Sequence, residues 1–339
     1  MKATDLSYHI TNYLTKYLPG IVGLSINTIM SYRDMFSLMI EYYEKLLQIN
    51  PDKLKLNDLT YRNIENFLNW LEVKRQCSVS TRNVRLSAIH AFARYLQREL
   101  PDFMYQGKQL LNIPFKKTKN RIIEYLTLDT MKLLLNLPDT ATKIGRRDIV
   151  LLSLMYDTGA RVQEICDLVV SDIRIQTPAT IKFKGKGNKS RIVPVMKPIS
   201  MLLTQYLLEN DLKKPSASEY SVFVNRSGTK LTREGVAYIV SKYVNLIKIK
   251  SPELLPDKVS PHSFRHSKAM HLLQSGVKLI YIRDLLGHVD IKTTEIYARI
   301  DSEMKRKALE NETNNIVSDK IPKWQNNKEL LKWLKSLGK

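Results

Sequence analysis

The sequence predicts a mainly α-helical protein with one small antiparallel β-sheet, divided into two domains. Three observations lead there. The chain has 339 residues, and at roughly 100–200 residues per domain that length calls for two folding units. Apolar residues recur at helical spacing through most of both halves. Strict alternation occurs once, in ATIKFKGKGNKSRIVPVM, where Ile181 and Phe183 alternate with Lys182 and Lys184. Gly-Lys-Gly-Asn then separates them from Ile192, Val193 and Val195, so the stretch reads as a hairpin, with DIRI as a strand before it.

The first domain, 1–113, is expected to hold four or five helices. Between Ser25 and Asn50, Ile29, Phe36, Ile40, Tyr43 and Leu47 follow at spacings of 7, 4, 3 and 4, one helix face. Asn57 or Thr60 caps a second helix through Glu72, with Ile64, Phe67, Leu68 and Leu71 on its apolar side. Ser78 or Ser80 opens a third, in which Val84, Ala88, Phe92 and Leu96 face inward while Arg82, Arg85, Arg94 and Arg98 line other faces. Pro101 follows its end. The proline-led run PFKKTKNR then breaks the pattern, and 114–123 reads as a basic extended linker.

The second domain is expected over 124–308. Helical patterns cover 127–136, 145–158 and 161–170, then the hairpin, then 198–210, 232–248, 263–275, 277–286 and 291–308. A polar stretch leads into a tail, 309–339, that ends in an amphipathic segment.

Composition narrows the function. Hydrophobic residues make up 43%, enough for real cores, which excludes a disordered basic tail protein. The two cysteines, Cys77 and Cys166, lie far apart with no Cys/His cluster near them, arguing against a disulfide scaffold or zinc finger and for a reducing compartment. MKATDLSYHITNYLTKYLPG has no uninterrupted apolar core, and no apolar run approaches the ~18 residues of a membrane span. A cytoplasmic, nucleoid-associated protein is expected. The net charge of +21 points to a polyanion, because neutralising phosphates releases condensed counterions.

The second half also gathers a particular set of side chains. Thr158-Gly159-Ala160-Arg161 joins two helices, Lys186 sits between two glycines in the hairpin, and His262 and Arg265 are three apart. His288 follows Leu286-Gly287, with Tyr297 nine residues further on. Attack on a phosphodiester builds charge on non-bridging oxygens, which guanidinium forks stabilise with paired hydrogen bonds. A phenol with pKa near 10 needs a cationic site or a base to act as nucleophile, and a hairpin lysine can protonate a departing 5′ oxygen. No paired carboxylates with metal-like spacing accompany them, so neither metal nor cofactor is expected.

TGARVQEICDL, KGKGNKSRIVPV, HSFRHSKAMHLLQSG and LLGHVDIKTTEIYARI together resemble the motif regions of the tyrosine recombinase (phage integrase) family. The resemblance covers roughly Glu124 to Ala308, and the N-terminal half is similar to that family's core-binding domain. It implies a C-shaped clamp on DNA, with a helical core-binding domain and an α+β integrase-type catalytic domain. Arg161 and Arg265 correspond to the arginines that hold the scissile phosphate, and Lys186 to the general acid. His262 corresponds to the histidine assisting proton transfer at the tyrosine, His288 to the one that hydrogen-bonds the phosphate, and Tyr297 to the nucleophile. Glu164 matches a carboxylate that orients the cluster. Arg82, Arg85, Lys116, Lys117, Lys119, Lys189 and Arg191 are expected to contact DNA, Lys189 and Arg191 also competing with Lys186 for the acid role. Tyr243 and Tyr281 are read as packing, and His266 and His271 as packing or supporting His262.

The resemblance further implies double-stranded DNA with specific recombination sites as substrate and a homotetramer on it, integrating or transposing a mobile element. Resolution of chromosome dimers is the alternative within the family, as the chain leaves no room for an arm-binding domain before its first helix. A type IB topoisomerase and a catalytically silent DNA-binding protein rank behind. In the tail, Leu330, Trp333, Leu334 and Leu337 cluster opposite Lys328, Lys332, Lys335 and Lys339, a helix for docking on a neighbouring protomer or on its own body.

Overall fold

The computed structural model describes residues 4–118, 123–185, 190–288, 290–300 and 328–336. The protein is mostly helical, with one three-stranded sheet. Two compact units, Met1–Arg121 and Ile122–Lys339, divide the chain. Lys119 lies outside the described residues.

In the first unit, α1 (Asp5–Asn12) runs on as a π-wound segment, Tyr13–Ile21. Then come α2 (Ile26–Leu47), α3 (Tyr61–Val73), α4 (Val79–Glu99) and α5 (Met104–Leu111). Thr60 and Ser78 prove to be the caps, their hydroxyls accepting from the N–H of Asn63 and Thr81. Ile64, Phe67, Leu68 and Leu71 are all fully buried, and join Met35, Phe36 and Tyr43 of α2 and Phe92 and Leu96 of α4 in one core.

The first turn of α4 corrects the sequence reading. Val84 is 52% exposed, whereas Arg82 is 4% exposed. The buried row runs Arg82, Leu86, Ile89, Ala93, Leu96, a helical stripe that begins at an arginine, so apolar residues alone misplace its start. Arg82 Nη1 donates to the Pro114 carbonyl at 2.9 Å and to Asn83 Oδ1 at 3.2 Å, not to a DNA-facing surface. Arg85 is half-buried and donates to the Ser31 carbonyl at 2.9 Å. The start of the expected linker is fastened down as well. Asn83 bonds both backbone groups of Lys116, at 3.1 and 2.8 Å, and the Lys116 ammonium pairs with Glu72. Lys117 is exposed.

In the second unit, α6 (Leu128–Leu135), α7 (Lys143–Thr158) and α8 (Val162–Cys166) precede strands β1 (Ile173–Arg174), β2 (Thr180–Lys184) and β3 (Ser190–Pro194). The sheet is antiparallel in the order β1-β2-β3, with Ile181 opposite Val193 and Phe183 opposite Arg191. Alternation sends Ile181, Phe183, Val193 and Val195 into the core and leaves Ile192 69% exposed. The helix expected over 161–170 stops at Cys166, because Leu168 and Val170 pair their backbones with Val222 and Tyr220 instead.

Helices α9 (Lys197–Glu209), α10 (Arg233–Lys250), α11 (Pro261–Gln274), α12 (Leu279–Leu286) and α13 (Lys292–Ile300) follow. Leu151, Leu154, Ile165, Phe183, Val236 and Phe264 share the main core. Ala269, Met270, Leu273, Ile282, Leu286 and Tyr297 form a smaller one that seats α12 and α13 on α11. Tyr243 packs as expected, donating to buried Asp148 at 2.8 Å, but Tyr281 does not: it is 64% exposed. A final helix, Lys328–Ser336, leaves Trp333 and Leu334 exposed. Lys186, Lys189, Leu337, Lys339 and the chain from 301 to 327 lie outside the described residues. Among the described residues no helix is long and apolar enough to cross a membrane.

Candidate active site

Two glycine turns bring distant segments together. α7 ends at Gly159, φ +58°, and α12 at Gly287, φ +64°, both left-handed caps that suit glycine. Arg265 of α11 joins them, donating Nη1 to the Gly159 carbonyl at 2.7 Å and Nη2 to the Leu286 carbonyl at 2.6 Å. Both turns are also tight. A Cβ at Gly159 would sit 2.8 Å from Leu286 Cδ2, and one at Gly287 2.8 Å from Arg191 Cδ. Burial, with Arg161 and Arg191 nearby, lowers Arg265 to about 10, so it remains a cation at neutral pH.

Arg161 leaves the Gly159 turn as the cap of α8. It donates Nη1 to Glu164 Oε1 at 2.9 Å and Nη2 to the Gly287 carbonyl at 3.3 Å. Its side chain is 39% exposed, the open guanidinium of the group. Glu164 is buried and receives a second, two-toothed pair from Arg191, at 2.7 and 2.8 Å. Burial acts to raise the Glu164 carboxyl, but Arg191 and Arg161 outweigh it and hold the group below the usual carboxylate range.

α11 presents His262, Arg265 and His266 on one face, three and four residues apart. His266 Nδ1 lies 2.9 Å from Tyr297 Oη, with the rings 5.8 Å apart. Burial, then His262 and Arg265, push His266 down to about 4, so it is a neutral imidazole at pH 7. Tyr297 is 1% exposed, and burial raises its phenol against a lowering pull from Arg265. His288 Nδ1 meets Thr294 Oγ1 of α13 at 2.9 Å, and burial followed by Arg265, Arg161 and Arg191 takes it to about 4. His262 is exposed at the start of α11. Desolvation of its packed side, then Arg265 and Arg161, lowers it too.

The structure thus draws Arg161, Glu164, Arg265, His288 and Tyr297 into one bonded or electrostatically coupled group, with His262 at its edge. Two positions read differently from the sequence. Arg191 was expected on DNA; its side chain is 13% exposed and its guanidinium is engaged by Glu164 and by the Leu285 carbonyl at 2.9 Å. His266 was expected only to pack or support His262, yet it is the phenol's hydrogen-bond partner. Its place one helical turn after His262 was the available signal. His271 does pack, against Tyr156 at 2.9 Å.

The profile described as the phage integrase family matches residues 124–304, and that of the phage integrase N-terminal SAM-like domain matches 11–102. The chain belongs to the phage integrase family, the tyrosine-type site-specific recombinases. It is 35% identical to the integrase/recombinase-type protein y4rC of Sinorhizobium fredii, over 92% of each chain. It is 33% identical to the tyrosine recombinase XerD of Listeria innocua, over 82% of this recombinase and 89% of that one. Among solved structures, XerH recombinase in a post-cleavage complex with difH DNA shares the fold. Its TM-score is 0.65 at 22% identity, covering 84% of this chain and 79% of that one. The Tn1549 transposon integrase, bound to transposon right-end DNA, shares it at a TM-score of 0.66 and 14% identity, covering 89% and 98%. Among the described residues of this recombinase, no group of three His, Cys, Asp or Glu side chains gathers where an ion could sit.

Proposed function

We propose that this recombinase exchanges DNA strands at specific sites through a covalent bond between Tyr297 and a 3′ phosphate. One observation carries the reading: three segments remote in sequence converge through Arg265, whose two carbonyl bonds join the Arg161 turn to the His288 turn. Tyr297 Oη attacks the scissile phosphorus, forming the O–P bond while the P–O5′ bond breaks. Arg161 and Arg265 stabilise the charge on the non-bridging oxygens. Arg265 uses two of its five N–H groups internally and keeps three. The leaving 5′ oxygen takes its proton from Lys186, and the phenol gives its proton to His266 Nδ1, with His262 one turn earlier as the second acceptor. A 5′ hydroxyl from a partner strand then reverses the step, so the phosphodiester energy is conserved. Since Tyr297 is buried, DNA must draw α13 outward before attack.

The biological setting we favour is integration or transposition of a mobile element, supported by similarity to y4rC over nearly the whole chain. Resolution of chromosome dimers is the second reading, supported by the XerD relatives. A tetramer on DNA, with the helix Lys328–Ser336 docking its apolar side on a neighbour, fits the exposure of Trp333 and Leu334. Lys117 and the basic hairpin tip supply phosphate contacts.

A nicked suicide duplex built from the junction DNA flanking the gene tests the chemistry. The wild-type protein traps a covalent adduct and Tyr297→Phe forms none. A wild-type protein that binds this duplex and never forms the adduct overturns the reading in favour of a silent DNA-binding protein.

A further inference from the structure

Arg191 has no place in the mechanism above, yet it is the most heavily engaged cation of the second unit. Its Nη1 and Nη2 meet both oxygens of buried Glu164 at 2.7 and 2.8 Å, and Nε donates to the Leu285 carbonyl at 2.9 Å. Its guanidinium carbon stands 5.2 Å from the centre of the Phe183 ring, which lies opposite it in the register of β2 and β3. The Gly287 turn leaves no space for a Cβ beside its Cδ. This side chain is enclosed on every side by β2, α8 and the end of α12.

Glu164 serves two arginines at once. Oε1 accepts from Arg161 Nη1 at 2.9 Å and from Arg191 Nη1 at 2.7 Å, while Oε2 accepts from the Arg161 backbone N–H at 2.7 Å. A buried carboxylate needs a charged partner, and it takes the nearest one. With Arg191 holding both oxygens, the full charge of Glu164 is matched by a cation that never leaves the core. Arg161, the open guanidinium, is then left with a net positive charge to offer outward.

We propose that Arg191 is a positioning residue that neutralises Glu164, so that Glu164 aims Arg161 without capturing it and Arg161 stays free to bind the scissile phosphate. The inference rests on the reading of Arg161 as a phosphate clamp. Without Arg191, the carboxylate draws Arg161 inward and the phosphate loses a ligand. The base of the hairpin and the Gly287 turn that bears His288 are fastened by the same side chain.

The test compares adduct formation on the nicked duplex by Arg191→Gln, by Arg191→Gln with Glu164→Gln, and by Arg161→Ala. Arg191→Gln slows adduct formation by about 10–100-fold, the usual scale for losing a group that orients a site residue. Its DNA affinity and the salt slope of binding stay at wild-type values, since no phosphate contact is lost. Adding Glu164→Gln removes the trap and restores adduct formation at least about fivefold, a rescue that damage to packing alone does not give. Arg191→Lys, which keeps a cation beside Glu164, shows a smaller loss. With Arg191→Lys/Glu164→Gln it carries the same comparison if Arg191→Gln does not fold. A salt slope lowered by about one makes Arg191 a DNA contact and overturns the proposal. So does a double variant no faster than the single one. If Arg161→Ala itself cleaves at the wild-type rate, the clamp reading of Arg161 has failed instead, and the two failures are told apart.

Discussion

The phenol of Tyr297 and Nδ1 of His266 are hydrogen-bonded at 2.9 Å in a pocket where Tyr297 is 1% exposed. The partner of the nucleophile is thus the histidine that follows Arg265, one helical turn beyond His262. A neutral imidazole with its proton on Nε2 accepts from the phenol here. His266→Phe, which keeps a ring but no acceptor, is expected to slow adduct formation by about 100-fold or more, the ordinary scale of general-base loss. Replacing Tyr297 by a fluorinated, more acidic tyrosine recovers part of that loss. Equal loss with both phenols sinks the proton-transfer role.

His266 and His288 both sit near 4, well below the ordinary histidine value of 6.5. The unfolded chain therefore binds protons that the folded one refuses. Stability is fully present above about pH 6.5 and falls as pH drops towards 4, by at most about 1.4 kcal/mol per pH unit for each histidine. Denaturant unfolding between pH 7 and 5 reads this slope, and His266→Asn or His288→Asn flattens it. A wild-type slope unchanged by both substitutions removes the assignment.

Gly159 and Gly287 are held at positive φ and packed against Leu286 and Arg191. An alanine costs about 1–2 kcal/mol at each for the left-handed backbone alone. Since Arg265 reads both turns, either substitution is expected to lower adduct formation more than DNA binding. Gel-shift affinity measured beside adduct yield checks the split.

Arg265→Lys is expected to behave as a severe variant. A lysine cannot reach both carbonyls in one plane, and two bonds to a buried charge are lost, at about 1.5–3 kcal/mol each. Adduct formation should vanish and the melting temperature should fall. A lysine variant with wild-type melting shows that the two carbonyl bonds do not join the turns.

Arg82 offers a contrast with surface cations. Its guanidinium serves the Pro114 carbonyl from within the first unit. Arg82→Met is therefore expected to destabilise by about 1–3 kcal/mol, through a buried acceptor left unpaired, while the salt slope of DNA binding stays unchanged. Lys117→Ala is expected to do the reverse. A salt slope lowered by one for Arg82→Met returns it to the DNA.

Local signals carried much of this protein in its sequence. Apolar periodicity determined α2, α3 and most of α4, since a helix face repeats within a few residues and needs no partner to be read. Alternation about Gly-Lys-Gly-Asn determined the sheet. The motifs pointed to the family and supplied the residue types that attack on a phosphodiester requires. What tertiary structure decided were the questions of partnership. Arg82 and Arg191 look like any other cations on a basic chain of net charge +21. Only packing reveals that one is held by Pro114 and the other by Glu164, because a guanidinium's role is set by which acceptor reaches it. His262 and His266 are equally placed by spacing, and the docking of α13 on α11 selects His266 for the phenol. Sequence determined which groups are present and which helices carry them. The long-range contacts, joining residues 159, 164, 191, 265, 287 and 297, decided what each group faces, and its chemistry depends on that.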